Sequence, residues 1–257
     1  MPGTPAMGEN DRMLHLCSGD DGLRAWKAAD LPGEALPWRD SPAMGPWSAD
    51  PACRARLRAQ YWGLPAESGA FREEASTLRA LAQAESAVLW FTPEPWDQLA
   101  QLWVVAALSR DGAGPYLALA PLPEGGARMV PGAMARALAL RVPLAPADRA
   151  AAAGLWERFE AQDWPALWKW LHQAGGLDTL PHLARALARV LEDRPPVVPG
   201  RTERQVRHLQ AAGVHDLPDM MRALAALEEP YGLAWYGDLV VRKLMDAGQL
   251  RPGSGGR

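Results

Sequence analysis

Apolar positions follow two different rhythms along the chain. "MLHLC" (13–17), "GEALPW" (33–38), "SAVLWF" (86–91) and "PYLALAPL" (115–122) are short apolar runs without helical period, and each predicts a strand. Pro37 sits at the end of the second, where a missing N–H is tolerated. "SAVLWF" is apolar throughout, the pattern of a strand covered on both faces of a parallel sheet. Between these runs the period lengthens. "GDDGLRAWKAA" carries Leu23 and Trp26 at helical spacing, and residues 51–62 and 70–84 read as helices, the first opened by Pro51. After Pro95, the residues Trp96, Leu99, Leu102, Trp103 and Ala106 share one helical face. Strands alternating with helices predict an α/β layer with a mostly parallel, Rossmann-like sheet over 13–145.

From about residue 130 the helical period takes over. "PADRAAAAGLWERFEA", "WPALWKWLHQ" and "TLPHLARALARVLED" are successive amphipathic segments, giving a helical region over 146–192. Trp164, Trp168 and Trp170 lie among leucines there and read as packing residues. "DRPPVVPGR" (193–201) is a proline-rich linker or corner, because three prolines and a glycine do not continue a helix. "TERQ" (202–205) matches a capping box, with Thr202 as cap and Gln205 reaching back. The helix it opens, a second at 216–227 and a third at 236–248 form a winged-helix-like module over 202–250. Residues 1–12 read as a disordered lead and 251–257 as a flexible tail.

Composition narrows the function classes. Apolar residues make up 48% of the 257, so a core is assured, and the net charge is −3. No block of one sign marks a surface for nucleic acid or an anionic membrane. The third helix of the C-terminal module offers Arg242 and Lys243 between Asp238 and Asp246, and this near-neutral balance argues against DNA as a partner. A protein partner for that module, or a role confined to its own chain, fits the charge better. The longest apolar run, "LAQLWVVAAL", is too short to span a bilayer, and the polar start has no secretory h-region. Cys17 and Cys53 form neither a disulfide framework nor a CxxC, so a reduced cytoplasmic setting is expected. Enrichment in alanine, arginine and proline suggests a high-GC bacterial genome.

Candidate chemistry collects at three strand ends: "SGDD" (18–21), "WRD" (38–40) and "TPEPWDQ" (92–98). In open α/β sheets ligands bind outside the carboxyl ends of the strands. Ser18, Gly19, Asp20, Trp38, Arg39, Asp40, Asp97 and Gln98 are therefore the candidate ligand-binding set, and Asp20, Asp40 and Asp97 the candidate acid–base groups. Gly19 before a helix lets amides approach a phosphate, while Ser18 or Asp20 is equally suited to cap that helix. Arg39 suits a carboxylate or phosphate, with Asp40 orienting it, or the two pair with neighbours at the sheet end. Asp97 fits a general base or a first-turn carboxylate. Cys17 ends a strand and reads as a buried apolar residue. Arg54 and Arg58, one helical turn apart, read as a solvated face. The five histidines have no metal-ligand spacing, so no metal site is expected. GxGxxG, GxxxxGK[ST] and GxSxG are missing, and no cofactor is specified.

The motif pieces "LHLCSGD" (14–20), "LPGEALPWRD" (31–40) with Gly45 and Pro46, and "LWFTPEPWDQL" (89–99) resemble a bacterial family of domains of unknown function, number 1835. "GRTERQV" (200–206) and "YGDLVVRKL" (236–244) resemble the helical companion domain often attached to it. Ser18 stands where the family often has Asn, and Ser41–Pro42 opens a more proline-rich loop. The resemblance implies a Rossmann-like fold with a shared crevice and carries no reaction. The expected function is binding or processing of a small anionic, nucleotide-like ligand at the strand ends. The alternative is a ligand-sensing transcriptional regulator or protein-interaction adaptor using the C-terminal module.

Overall fold

The computed structural model describes residues 13–65, 73–109, 114–122, 130–174, 176–228 and 237–249. The expected lead, the tail and the segment between the last two helices lie outside the described residues.

Five strands form one sheet: β1 (Met13–Ser18), β2 (Glu34–Trp38), β3 (Ser86–Trp90), β4 (Tyr116–Leu119) and β5 (Val142–Pro143), in the order β2-β1-β3-β4-β5. The first four are parallel and β5 is antiparallel to β4. The protein is thus an α/β molecule with a mostly parallel, Rossmann-like sheet. The helices between its strands are α1 (Gly19–Ala28), α2 (Pro51–Trp62), α3 (Glu73–Gln83), α4 (Pro95–Ala107) and α5 (Pro131–Ala139). The chain leaves β1 for β2 on one side and returns to β3 on the other, so the sheet reverses direction between β1 and β3.

Both faces are covered, which explains the apolar runs. Met13, Cys17, Val88 and Trp90 point to one face, against Trp26 of α1 and Met134 of α5. Leu14, Leu16, Ala87 and Leu89 point to the other, against α4 and the helices that follow. His15 lies fully buried on the first face. Its Nδ1 accepts from Trp90 Nε1 at 2.9 Å, so Nε2 carries the proton and donates to the Pro32 carbonyl at 2.9 Å. Burial pushes the His15 pKa down to about 4.

The second half stacks α6 (Pro146–Glu160) and α8 (Leu183–Leu191) on α4, with α7 (Trp164–Ala174) packed against α6 and α8. Then come α9 (Arg201–Ala211), α10 (Leu217–Leu227) and α11 (Asp238–Gln249), which pack on one another. Asp50 caps α2 through the Cys53 amide at 2.6 Å, and Asp216 caps α10 through the Asp219 amide at 2.9 Å. The capping box expected at Thr202 is not formed. The helix starts two residues earlier, with Gly200 rather than Thr202 at the N-cap position. Thr202 instead donates its hydroxyl and its amide to Asp193, and Gln205 donates to Glu228. Asp193 at the end of the preceding helical turn outcompetes the local box because the 193–200 segment folds back and returns the chain to α8, the Arg201 amide meeting the Glu192 carbonyl at 3.0 Å. Arg189 on α8 makes a forked bond to Glu228 at the end of α10, at 2.8 and 2.9 Å. Val206, Met220, Leu224, Val241 and Met245 of the last three helices join the same apolar core as α4 and α8.

Candidate functional site

The candidate site forms at the carboxyl edge of the sheet, where β1 and β3 part. Ser18 ends β1 and Gly19 opens α1, Arg39 follows β2, and Thr92, Glu94 and Asp97 follow β3. Ser18 stands at the N-cap position of α1 without capping it. Its hydroxyl crosses the gap between the strands and donates to Asp97 Oδ1 at 2.6 Å. Asp97 Oδ2 accepts from the Thr92 amide at 2.7 Å. Both Asp97 oxygens are thereby engaged. The side chain is buried, which raises its pKa, while the bonds from Ser18 and Thr92 act the other way. Asp97 ties α4 to β1, rather than standing open to a substrate as a general base would.

Gly19 has φ +62°, and the space where a Cβ would sit is open. This is the left-handed region that glycine enters at no steric cost. The first turn of α1 therefore has no side-chain cap and no wall above Gly19. Arg39 reaches across its rim. Its Nη2 meets Asp20 Oδ1 at 2.7 Å, Nε lies 3.1 and 3.2 Å from the two Asp20 oxygens, and Nη1 bonds Glu73 of α3. The Arg39 hydrogen bond holds Asp20 below the usual carboxylate range. The Arg39 and Asp20 side chains are 36% and 61% exposed, so this is a solvated pair worth about 1 kcal/mol or less.

The remaining candidates turn away from this edge, each for a physical reason. Asp40 is fully buried and pairs with Arg58, also fully buried, instead of orienting Arg39. Arg58 further donates to the Ser41 and Met44 carbonyls, and so pins the 40–44 loop to α2. Arg54 and Glu74 extend this cluster, at 3.5 Å from one another. Burial, then the Asp40 charge, pushes the Glu74 carboxyl up. Asp40 Oδ2 and Glu74 Oε1 are buried without a hydrogen-bond partner among the described residues. The helical spacing of Arg54 and Arg58 thus marks a buried polar cluster and not a solvated face. Their guanidinium groups also lie over indole rings: Arg54 over Trp47 and Trp103, Arg58 over Trp62. Trp38 is 2% exposed and packs edge-on against Trp103, in the core rather than the site. Gln98 turns toward β4: its amide donates to the Thr92 carbonyl at 2.7 Å, and it lines a separate cavity of about 150 Å³ with Gln101, Thr179 and His182. Cys17 is buried, and burial pushes its thiol up to about 12, which makes it inert as a nucleophile at neutral pH.

Glu94 belongs to the site and escaped the sequence reading. It precedes Pro95 at the N-cap position of α4 without capping it, and it is 9% exposed. Burial, and secondarily the Asp97 charge, raises it to about 7. The only local signal was a carboxylate before a helix-opening proline, which ordinarily means a cap. Among the described residues no group of three His, Cys, Asp or Glu side chains can hold a metal ion. No described helix is long and apolar enough to cross a membrane.

The fold and site define an α/β protein with a group of polar side chains at the reversal point of its sheet. No protein-family profile, no curated protein and no solved structure matches this chain.

Proposed function

We propose that the crevice between β1 and β3 binds a small anionic, nucleotide-like ligand, with its anionic group at the first turn of α1. One observation carries this reading. Ser18, the residue placed to cap α1, gives its hydroxyl to Asp97, and so leaves the first-turn amides without a side-chain acceptor at the point where such sheets bind ligands. Those amides and the positive end of the helix dipole suit a phosphate or carboxylate, and the open space above Gly19 lets one approach. Arg39 supplies the second, charged donor. Its bonds to Asp20 and Glu73 are solvent-exposed, so an incoming anion exchanges with them at small cost. Ser18, Gly19, Asp20, Arg39 and Asp97 take the ligand-binding or ligand-positioning roles, and the reading assigns binding without a bond-breaking step. The three motif pieces that resemble family 1835 are the ones that meet along this edge, and membership in that family is part of the proposal.

The test is a thermal-shift and calorimetric screen of the full chain against nucleotides and phosphorylated metabolites. A hit lost in Arg39→Ala, with unfolding unchanged to within about 0.5 kcal/mol, supports the reading. No hit, combined with an Arg39→Ala variant that unfolds, makes Arg39 structural and ends it.

For the C-terminal module we propose a winged-helix-like unit used for contact within the chain or with a protein, not for reading DNA. Lys243, one of the two cations on α11, bonds the Tyr61 carbonyl and lies 4.4 Å from the centre of its ring, facing the rest of the molecule. Salt-sensitive binding of DNA fragments, lost in Arg242→Ala, would reverse that assignment.

A further inference from the structure

A second site emerges from Arg194, in the segment that the sequence marks only as a linker. Arg194 reaches back toward the sheet: its Nη2 donates to the Pro42 and Ala43 carbonyls at 2.8 and 3.0 Å. The guanidinium lies over the rings of Phe159 and Trp164, 5.9 and 5.8 Å from their centres. Nε is shut off from solvent without a partner. Nη1 makes no hydrogen bond within the described residues and keeps accessible surface. Arg39, Arg54, Arg58, Arg189 and Arg201 each meet a carboxylate within 4.0 Å, and Arg194 meets none among the described residues. Its neighbour Asp193 is committed to Thr202 and to Arg189. Burial lowers the Arg194 pKa, the mark of a cation removed from water without full compensation.

Arg194 lines a cavity of about 210 Å³. The other walls come from Gly45, from Tyr61 of α2, from Thr202 and Glu203 of α9, and from Val240 and Leu244 of α11. Tyr61 adds a phenol that makes no hydrogen bond within the described residues, and burial raises its pKa, so it remains an O–H donor. The acidic groups at the cavity are both occupied: Asp193 as above, and Glu203 by Arg207. The volume equals roughly seven waters in bulk, below the 300–1,000 Å³ of larger ligand pockets.

We propose that this cavity binds a small oxyanion, a carboxylate or phosphate group, with Arg194 Nη1 as the charged donor and the Tyr61 hydroxyl as the second. The anion supplies the countercharge that the described residues do not. Because the walls come from α2, the 41–46 loop, α9 and α11, occupancy holds the C-terminal module against the sheet domain. The site is separate from the α1 crevice and does not depend on it.

The experiment is thermal shift and isothermal titration of the full chain with inorganic phosphate and with succinate, ionic strength held constant with chloride. The expected result is a saturable rise in Tm with at least one probe, and which of them binds distinguishes phosphate from carboxylate chemistry. Arg194→Gln is expected to weaken that binding about tenfold or more, since it removes a charged hydrogen-bond donor. Tyr61→Phe weakens it less. Leu244→Trp fills the cavity, leaves Arg194 in place, and blocks binding. If Arg194→Gln fails to fold, the last two variants decide. The titrations are repeated in an Arg39→Ala background, which removes any contribution of the α1 crevice; the component sensitive to Arg194→Gln and Leu244→Trp is expected to remain. Absence of any saturable response in the wild type at millimolar probe overturns the proposal. So does binding that survives Leu244→Trp in that background, or that is lost altogether in Arg39→Ala, because the anion then sits outside this cavity.

Discussion

Replacing Asp40 separates a structural role from a ligand-binding one most sharply. Asp40 and Arg58 are both fully buried, and Arg58 also donates to the Ser41 and Met44 carbonyls. Asp40→Ala leaves the Arg58 guanidinium in the interior without the carboxylate that meets its Nη2. Breaking such a pair costs about 3–5 kcal/mol, a large part of the 5–15 kcal/mol that ordinarily separates folded from unfolded chains. Asp40→Asn keeps the acceptor shape and loses the charge, so about 1.5–3 kcal/mol is expected. The double replacement Asp40→Ala with Arg58→Met removes both charges and should recover much of the loss, a coupling of about 2 kcal/mol. Urea denaturation followed by circular dichroism gives all three values, and ligand titration of Asp40→Asn completes the set. An Asp40→Asn protein within about 0.5 kcal/mol of wild type that no longer binds ligand would refute the reasoning and return Asp40 to the site.

Three further expectations follow from buried groups and from the junction of the last helices. His15 is depressed to about 4 from 6.5, so its contribution is complete above pH 6.5 and is lost as pH falls toward 4, about 3 kcal/mol in all; an NMR titration midpoint near 6.5 would contradict this. Glu94 has the opposite sign: raised from 4.5 to about 7, it withdraws up to about 3 kcal/mol as pH rises through that window. The stability difference between Glu94→Gln and wild type should therefore grow in the variant's favour from pH 4.5 to 7, and a flat difference refutes it. Limited proteolysis should not release a stable fragment by cutting at 193–200, because Arg194 and the Arg189–Glu228 fork bind that segment and the last helices to the rest; a soluble fragment ending near residue 193 would sink this expectation.

The parallel sheet was readable because its strands are covered on both faces: Val88 and Trp90 meet one layer of helices, Leu89 the other, and the sequence shows this as an unbroken apolar run. β5 was not readable, since two residues with exposed side chains carry no period. The strand ends correctly placed Ser18, Arg39 and Asp97 along one edge, because topology alone brings carboxyl ends together. Which polar side chains turn outward is a separate matter, settled by partners distant in sequence. Asp40 turns inward because Arg58 waits 18 residues away on α2, and Ser18 forgoes its cap because Asp97 lies 79 residues on. Thr202 shows the same limit on a local motif, its cap displaced by Asp193. Arg194 was hidden by its surroundings: followed by two prolines, it reads as connector, and only the packed structure shows a cation facing a cavity.

The aromatic rings give the molecule a built-in optical behaviour. Trp38 and Trp47 meet Trp103 edge-on at 4.8 and 4.7 Å, Trp47 also meets Trp156 at 4.9 Å, and Trp103 stacks on Trp156 at 5.9 Å. Phe159 continues the line from Trp156 to Trp164, 5.6 and 5.4 Å between centres. Indoles this close share excitation, so ultraviolet light absorbed beside the sheet is not emitted by one ring alone. The near-ultraviolet dichroism is then a collective signal of the whole ladder, sensitive to the angle between its members. At one end of that ladder Trp164 lies under the Arg194 guanidinium. Intrinsic fluorescence therefore connects the interior of the sheet domain to the cavity at the far helices, and the protein needs no added dye to report on either.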